Sequence, residues 1–120
     1  MTKSGDNLAT VLSTWGAMIA TGRTDLLAAV LDENVEWQGL HPEEICRNRD
    51  EVVYLLTHNS PPLPPMTRIE CQEIGARVVV GFESPSIPEP RFIVIAFDDG
   101  KIVRMTSLTD RAAAFSLAGA

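Results

Sequence analysis

Few residues in this chain combine a reactive side chain with a setting that would put it to use. His41, in the phrase GLHPEE, titrates near neutral pH and has the chemistry of a general base at the mouth of a pocket. Its place beside a proline in a surface-like loop argues instead for a solvated or capping histidine. Ser107 and Asp110, in TSLTD, would complete a rearranged acid–base set with it. No His and carboxylate stand at a motif spacing that would make Ser107 a nucleophile. Cys46 and Cys71 have no Cys or His at ligand spacing beside them, so they read as two free, buried thiols. Asp98 and Asp99 fall in a tight turn, where carboxylates bond to nearby backbone amides, and Glu43–Glu44 and Asp50–Glu51 suit solvated helix starts. His58 falls where it would meet the last carbonyls of a helix. Neither a metal site nor a cofactor is expected. That leaves Trp15 and Trp37, the only two tryptophans. They serve either as plain core or as flat walls for a ligand, each offering an indole N–H.

The elements that must position these residues can be read from periodicity. From Asp6 to Thr21, Leu8, Val11, Leu12, Trp15, Met18 and Ile19 recur at helical spacing, and Gly22 suits the stop. A short helix follows, capped by Thr24, burying Leu26, Leu27, Val30 and Leu31 and ended by Asp32-Glu33-Asn34. Val35 to Leu40 alternates as a half-buried strand with Trp37 inward. His41 to Asn48 reads as loop. A third helix runs from Asn48 or Arg49 to about His58, where the proline-rich stretch from Asn59 to Pro65 must break it. Met66–Glu73 and Arg77–Glu83 make one hairpin. The stretch from Arg91 to Thr109 makes a second, turning at Asp98-Asp99-Gly100-Lys101, with the apolar run Phe92–Phe97 as a central strand. An Asp110–Arg111 ion pair would anchor a tail of a helical turn or two, held by Phe115 and Leu117.

Composition narrows the function classes. A chain of 120 residues can bury one core without staples. Its net charge of −6, with basic residues scattered singly, argues against a nucleic-acid partner. No apolar run approaches the roughly 20 residues of a membrane helix. The opening MTKSGDNLAT carries neither the apolar core of a secretory signal nor the arginines of a transit peptide, so the expected compartment is the cytoplasm.

Helices, a strand, a helix and then consecutive hairpins define an α+β order. With that order, the phrases LLAAVLDENVEWQGLHPEEICRNRDEVVYLL and AFDDGKIVRMTSLTDR resemble the nuclear transport factor 2-like superfamily, in its polyketide-cyclase-like (SnoaL-like) branch, from about Leu8 to Arg111. The resemblance implies one domain over residues 1–120. Its architecture would be a cone-shaped α+β barrel, with three N-terminal helices packed on a curved, mostly antiparallel sheet around a hollow. It also implies a homodimer through the outer sheet face, for which Val94 and Ile102 would be suitable exposed positions. Superfamily isomerases use an Asp base beside a Tyr and a protonated Asp. Matching by motif puts those three at Trp15 (the Tyr), Trp37 (the base) and near Ile93, none of which does acid–base chemistry. The acid of the related epoxide hydrolases falls at Ser107.

The expected site is therefore an apolar pocket lined by Trp15, Met18, Trp37, Leu56, Ile93, Ile95, Met105 and Ser107. It would hold a small hydrophobic molecule. An enzyme acting on a small polyketide- or terpene-like compound, as hydrolase, isomerase or cyclase, is the alternative, and a non-catalytic partner-binding module is a third.

Overall fold

The computed structural model describes residues 6–21, 25–41, 43–55, 57, 68–83, 85 and 88–119, with the backbone alone for residues 6, 17–21 and 68. Its centre is a six-stranded, curved and unclosed sheet in the order β2-β1-β6-β5-β4-β3. The strands are β1 (Leu31–Gln38), β2 (Ile45–Cys46), β3 (Arg68–Ile74), β4 (Arg77–Glu83), β5 (Arg91–Asp98) and β6 (Lys101–Leu108). Only β1 and β6 run parallel, and every other neighbouring pair is antiparallel. Four helices accompany the sheet among the described residues: α1 (Asp6–Thr21), α2 (Asp25–Val30), α3 (Arg49–Tyr54) and α4 (Arg111–Ala118). None of them is long and apolar enough to cross a membrane.

The β5–β6 hairpin turns as its sequence requires. Asp98 pairs with Lys101, and Asp99 and Gly100 both take positive φ, 51° and 79°. This tight turn matches the twist of the flanking strands and needs left-handed backbone at both central positions, which Asp and Gly tolerate best. Alternation along β5 then assigns two cores to two faces. Ile93, Ile95 and Phe97 join an inner cluster with Val11 and Trp15 of α1, Leu27 of α2 and Val52 of α3. Phe92 and Val94 point the other way, into an outer cluster with Val79, Ala114 and Ala118. The two alanines let the α4 backbone approach the outer sheet face closely. Gly81 does the same for a ring, since a Cβ there would stand 2.6 Å from a ring carbon of Phe92.

Several expectations change here. Val94 and Ile102 are not exposed: α4 covers Val94, and Ile102 lies wholly in the inner core. Leu12 is 55% exposed, because α1 turns Asn7, Val11, Thr14 and Trp15 inward, and Thr14 satisfies its hydroxyl on the Thr10 carbonyl at 2.7 Å. Asp32-Glu33-Asn34 belongs to β1 rather than ending a helix. The strand begins directly after α2 and bulges between Leu31 and Glu36, with Asp32 Oδ1 accepting from the Asn34 amide at 2.9 Å. Strand β2 lies in a stretch expected to be loop, and two residues are too few to show a period. Leu117 is half exposed, and Ala114 and Ala118 do the anchoring.

Helix starts follow local chemistry. Asn48 caps α3, its side chain accepting from the Glu51 amide at 2.9 Å, while Glu51 accepts from the Arg47 amide at 2.6 Å. Lys101 donates to the Ala29 carbonyl at 2.9 Å, so the hairpin turn closes the end of α2. Described residues of α3 end at Tyr54, with Leu55 and Thr57 in a wider turn, and His58 lies outside the described residues.

Candidate functional site

Strand register lays out the inner face row by row, because directly opposed residues share a face. One row runs Cys46, Trp37, Met105, Ile95, Val78 and Glu73 across all six strands. The next runs Ser107, Ile93, Val80 and Cys71. Trp15 lies over this face from α1, in the same cluster as Ile93, Ile95 and Met105, and Trp37 packs partly buried against that cluster. Five of the expected lining residues therefore share one apolar body, with Ser107 on the same face. Met18 is described by its backbone alone, and Leu56 lies outside the described residues.

The inner face holds one polar atom of note. Trp15 is only 6% exposed, yet its indole Nε1 has no hydrogen-bond partner among the described residues. A buried donor without an acceptor costs about 1–3 kcal/mol, and most native donors avoid it.

The three candidates for acid–base chemistry occupy separate places. His41 is exposed in the β1–β2 connection, its Nε2 4.0 Å from a Glu44 carboxylate oxygen. The loop is tied to itself: the Gly39 amide donates to the Glu44 carbonyl, and the Gln38 side-chain Nε2 donates to the carbonyls of Gly39 and His41. Ser107 is half-buried on the inner face opposite Ile93. Asp110 is exposed and caps α4, its Oδ1 accepting from the Ala112 amide at 3.0 Å. No hydrogen bond joins any two of these three. The expected Asp110–Arg111 pair is replaced, for Arg111 reaches Glu70 instead, Nε to Oε1 at 3.0 Å. Its guanidinium also lies 4.4 Å from the Phe115 ring centre. That hydrogen bond, with the Glu70 charge, raises the Arg111 pKa. Asp110→Ala is expected to cost about 1 kcal/mol by loss of the cap, and Asp110→Asn much less, read by urea unfolding followed by circular dichroism.

Burial raises the pKa of both thiols, Cys46 further by Glu51 and Cys71 further by Glu70. Both cysteines are free, and both sit with the inner core as protonated, poorly nucleophilic groups. No cluster of three or more His, Cys, Asp or Glu able to hold a metal occurs among the described residues. One acid escaped the sequence reading. Glu73 is half-buried on the edge strand and shares the row of Trp37, Met105 and Ile95. The alternation in RIECQEI already sets Cys71 and Glu73 on one side, but the pairing with Val78 was needed to say which side is inner.

No protein-family profile and no curated protein matches the sequence. Solved structures do match. An NTF-2-like protein of unknown function from Burkholderia xenovorans LB400 is 17% identical over 86% of this chain and 81% of its own, with a TM-score of 0.72. A protein from Jannaschia sp. CCS1, provisionally described as a SnoaL-like polyketide cyclase, is 15% identical over 100% of this chain and 99% of its own, TM-score 0.70. TerC, co-crystallised with polyporic acid, is 20% identical over 96% and 99%, TM-score 0.64. The chain has the nuclear transport factor 2-like fold. At these identities the likeness is one of fold.

Proposed function

We propose that this protein binds a small, mostly apolar molecule that carries a hydrogen-bond acceptor, held between α1 and the inner face of the sheet. The observation that carries the reading is the unpartnered indole N–H of Trp15, buried among Ile93, Ile95 and Met105. A quinone or ketone oxygen of a flat ligand would take that proton donor, and the apolar body would lie against Trp37, Met105 and Ile95. Met18, Leu56 and Ser107 complete the proposed lining. The co-crystallisation of TerC with polyporic acid supports a ligand of this kind in the fold.

The test compares 1,4-naphthoquinone with naphthalene by calorimetry. The quinone should bind the wild type more tightly. Trp15→Phe should weaken the quinone about 3- to 10-fold, the worth of one neutral hydrogen bond, and leave naphthalene unchanged. The unliganded variant should stay within about 1 kcal/mol of wild-type stability, since it sheds an unsatisfied donor while losing some packing. Binding of neither compound, or equal loss of both, would sink the reading.

A second reading, an enzyme acting on a small apolar polyketide- or terpene-like compound, is favoured by the place of Glu73 in the same row. Hydrolysis, isomerisation or cyclisation would each be served by such a carboxylate as base or acid. His41, Ser107 and Asp110 have no part in that proposal as a joined set.

A further inference from the structure

The outer face of the sheet is divided. Helix α4 covers β4 and β5 around Val79 and Val94. On the other half, β2, β1 and β6 frame a depression of about 330 Å³, lined by Glu36, Trp37, Gln38, Ile45, Arg47 and Arg104. Register puts Glu36 opposite Arg104 and Gln38 opposite Ile45, so these four share the outer face.

Its charge is unlike that of the chain. The whole protein carries −6, yet two guanidiniums and one carboxylate meet here, a local excess of one positive charge. The Arg104–Glu36 pair is loose, 3.5 Å apart with both side chains more than half exposed. Arg47 has no ion pair among the described residues, and Glu51, four residues on, accepts from its backbone amide. The Gln38 amide is held away by its bonds to the Gly39 and His41 carbonyls. Beside the charges stands Ile45, an isoleucine 47% exposed. One surplus cation next to one open apolar side chain fits a ligand with one negative charge and an apolar body.

We propose that this depression is a second binding site, sharing Trp37 with the lining of the inner one, for a small organic monocarboxylate of the arene-carboxylate kind. The carboxylate sits between Arg47 and Arg104, and the ring lies against Ile45. Glu36 competes with the ligand for Arg104 and so sets its affinity low. A guanidinium is the side chain best shaped for this, because its planar fork meets both carboxylate oxygens.

The experiment titrates the protein with benzoate and with uncharged benzyl alcohol, followed by calorimetry, with sedimentation velocity run alongside. Benzoate should bind at least about tenfold more tightly than benzyl alcohol at low salt, and the difference should shrink as ionic strength rises. Arg47→Gln should weaken benzoate about 5- to 10-fold, a charged hydrogen bond discounted for exposure. Glu36→Gln should tighten it, because Arg104 is released. Trp15→Phe should leave benzoate binding unchanged, which separates this site from the inner one. Equal binding of the two compounds, or no response to Arg47→Gln, would overturn the proposal. So would a result in which Arg47→Gln alters only self-association, for the patch would then belong to a second copy of the chain.

Discussion

Replacing Ile95 with alanine should lower the free energy of unfolding by about 3–4 kcal/mol. Ile95 is wholly buried on β5, a strand with a partner on each side, between Val78 and Met105 in the inner row. Removing a buried branched side chain forfeits its transfer energy and leaves a void that neighbours fill only in part; measured costs run about 2–5 kcal/mol. The upper half of that range applies because both flanking residues are themselves fixed in ladders and cannot slide inward. Domains of this size have about 5–15 kcal/mol in hand, so the variant keeps its fold with a visibly lower midpoint. Urea unfolding followed by far-ultraviolet circular dichroism measures it. A loss below about 1 kcal/mol would mean that the inner cluster is loosely packed around Ile95. Ile95→Val should cost about 1 kcal/mol, which checks that volume is the cause.

The second large effect is Ala114→Asp. Ala114 is fully buried where α4 meets Val79 and Val94 on the outer sheet face. A carboxylate placed there is buried against Val79 and Val94, and Arg111, one turn before it, is committed to Glu70. An unpaired buried charge costs several kcal/mol, more than the packing of an eight-residue helix supplies, so α4 should leave the sheet. The exposed faces of Val79, Phe92 and Val94 would then bind an apolar dye and drive association, visible by dye fluorescence and light scattering. The exposed neighbour gives the control: Ala112→Asp places the same charge in the first turn of α4 and should be neutral or slightly stabilising. If both variants behave alike, α4 is not held by its small-residue face.

What could be read from residues alone was whatever repeats over many positions. The α1 periodicity, the two hairpins and the Asp99-Gly100 turn each declare themselves within ten or so residues, and the α+β order follows from them. What could not be read depended on a partner far along the chain. Whether Val94 faces solvent is decided by α4, twenty residues on, and a tail of alanines says little about where it will dock. Glu73 differs from Gln72 only through its pairing with Val78. Strand β2 exists because Trp37 and Gln38 offer an unpaired edge, a property of β1 rather than of Ile45 and Cys46. The site divides the same way. That Trp37, Met105, Ile93 and Ile95 share the inner face was legible because strand residues alternate, while the surroundings of the Trp15 indole are settled only by what packs over them.

The single parallel pair fixes an order of events during synthesis. Glu36 and Arg104, which meet across it, are 68 residues apart in the chain. The ribosome therefore releases α1, α2 and β1 long before the strand that will shelter them. Val35 and Trp37 must wait in contact with water, or with a chaperone, until β6 emerges, whereas the β3–β4 hairpin can zip as soon as it is made. A stalled or prematurely ended chain that lacks β6 would hold its greasiest N-terminal stretch unpaired. Quality control would then recognise the product by its front half, although the defect lies at its back.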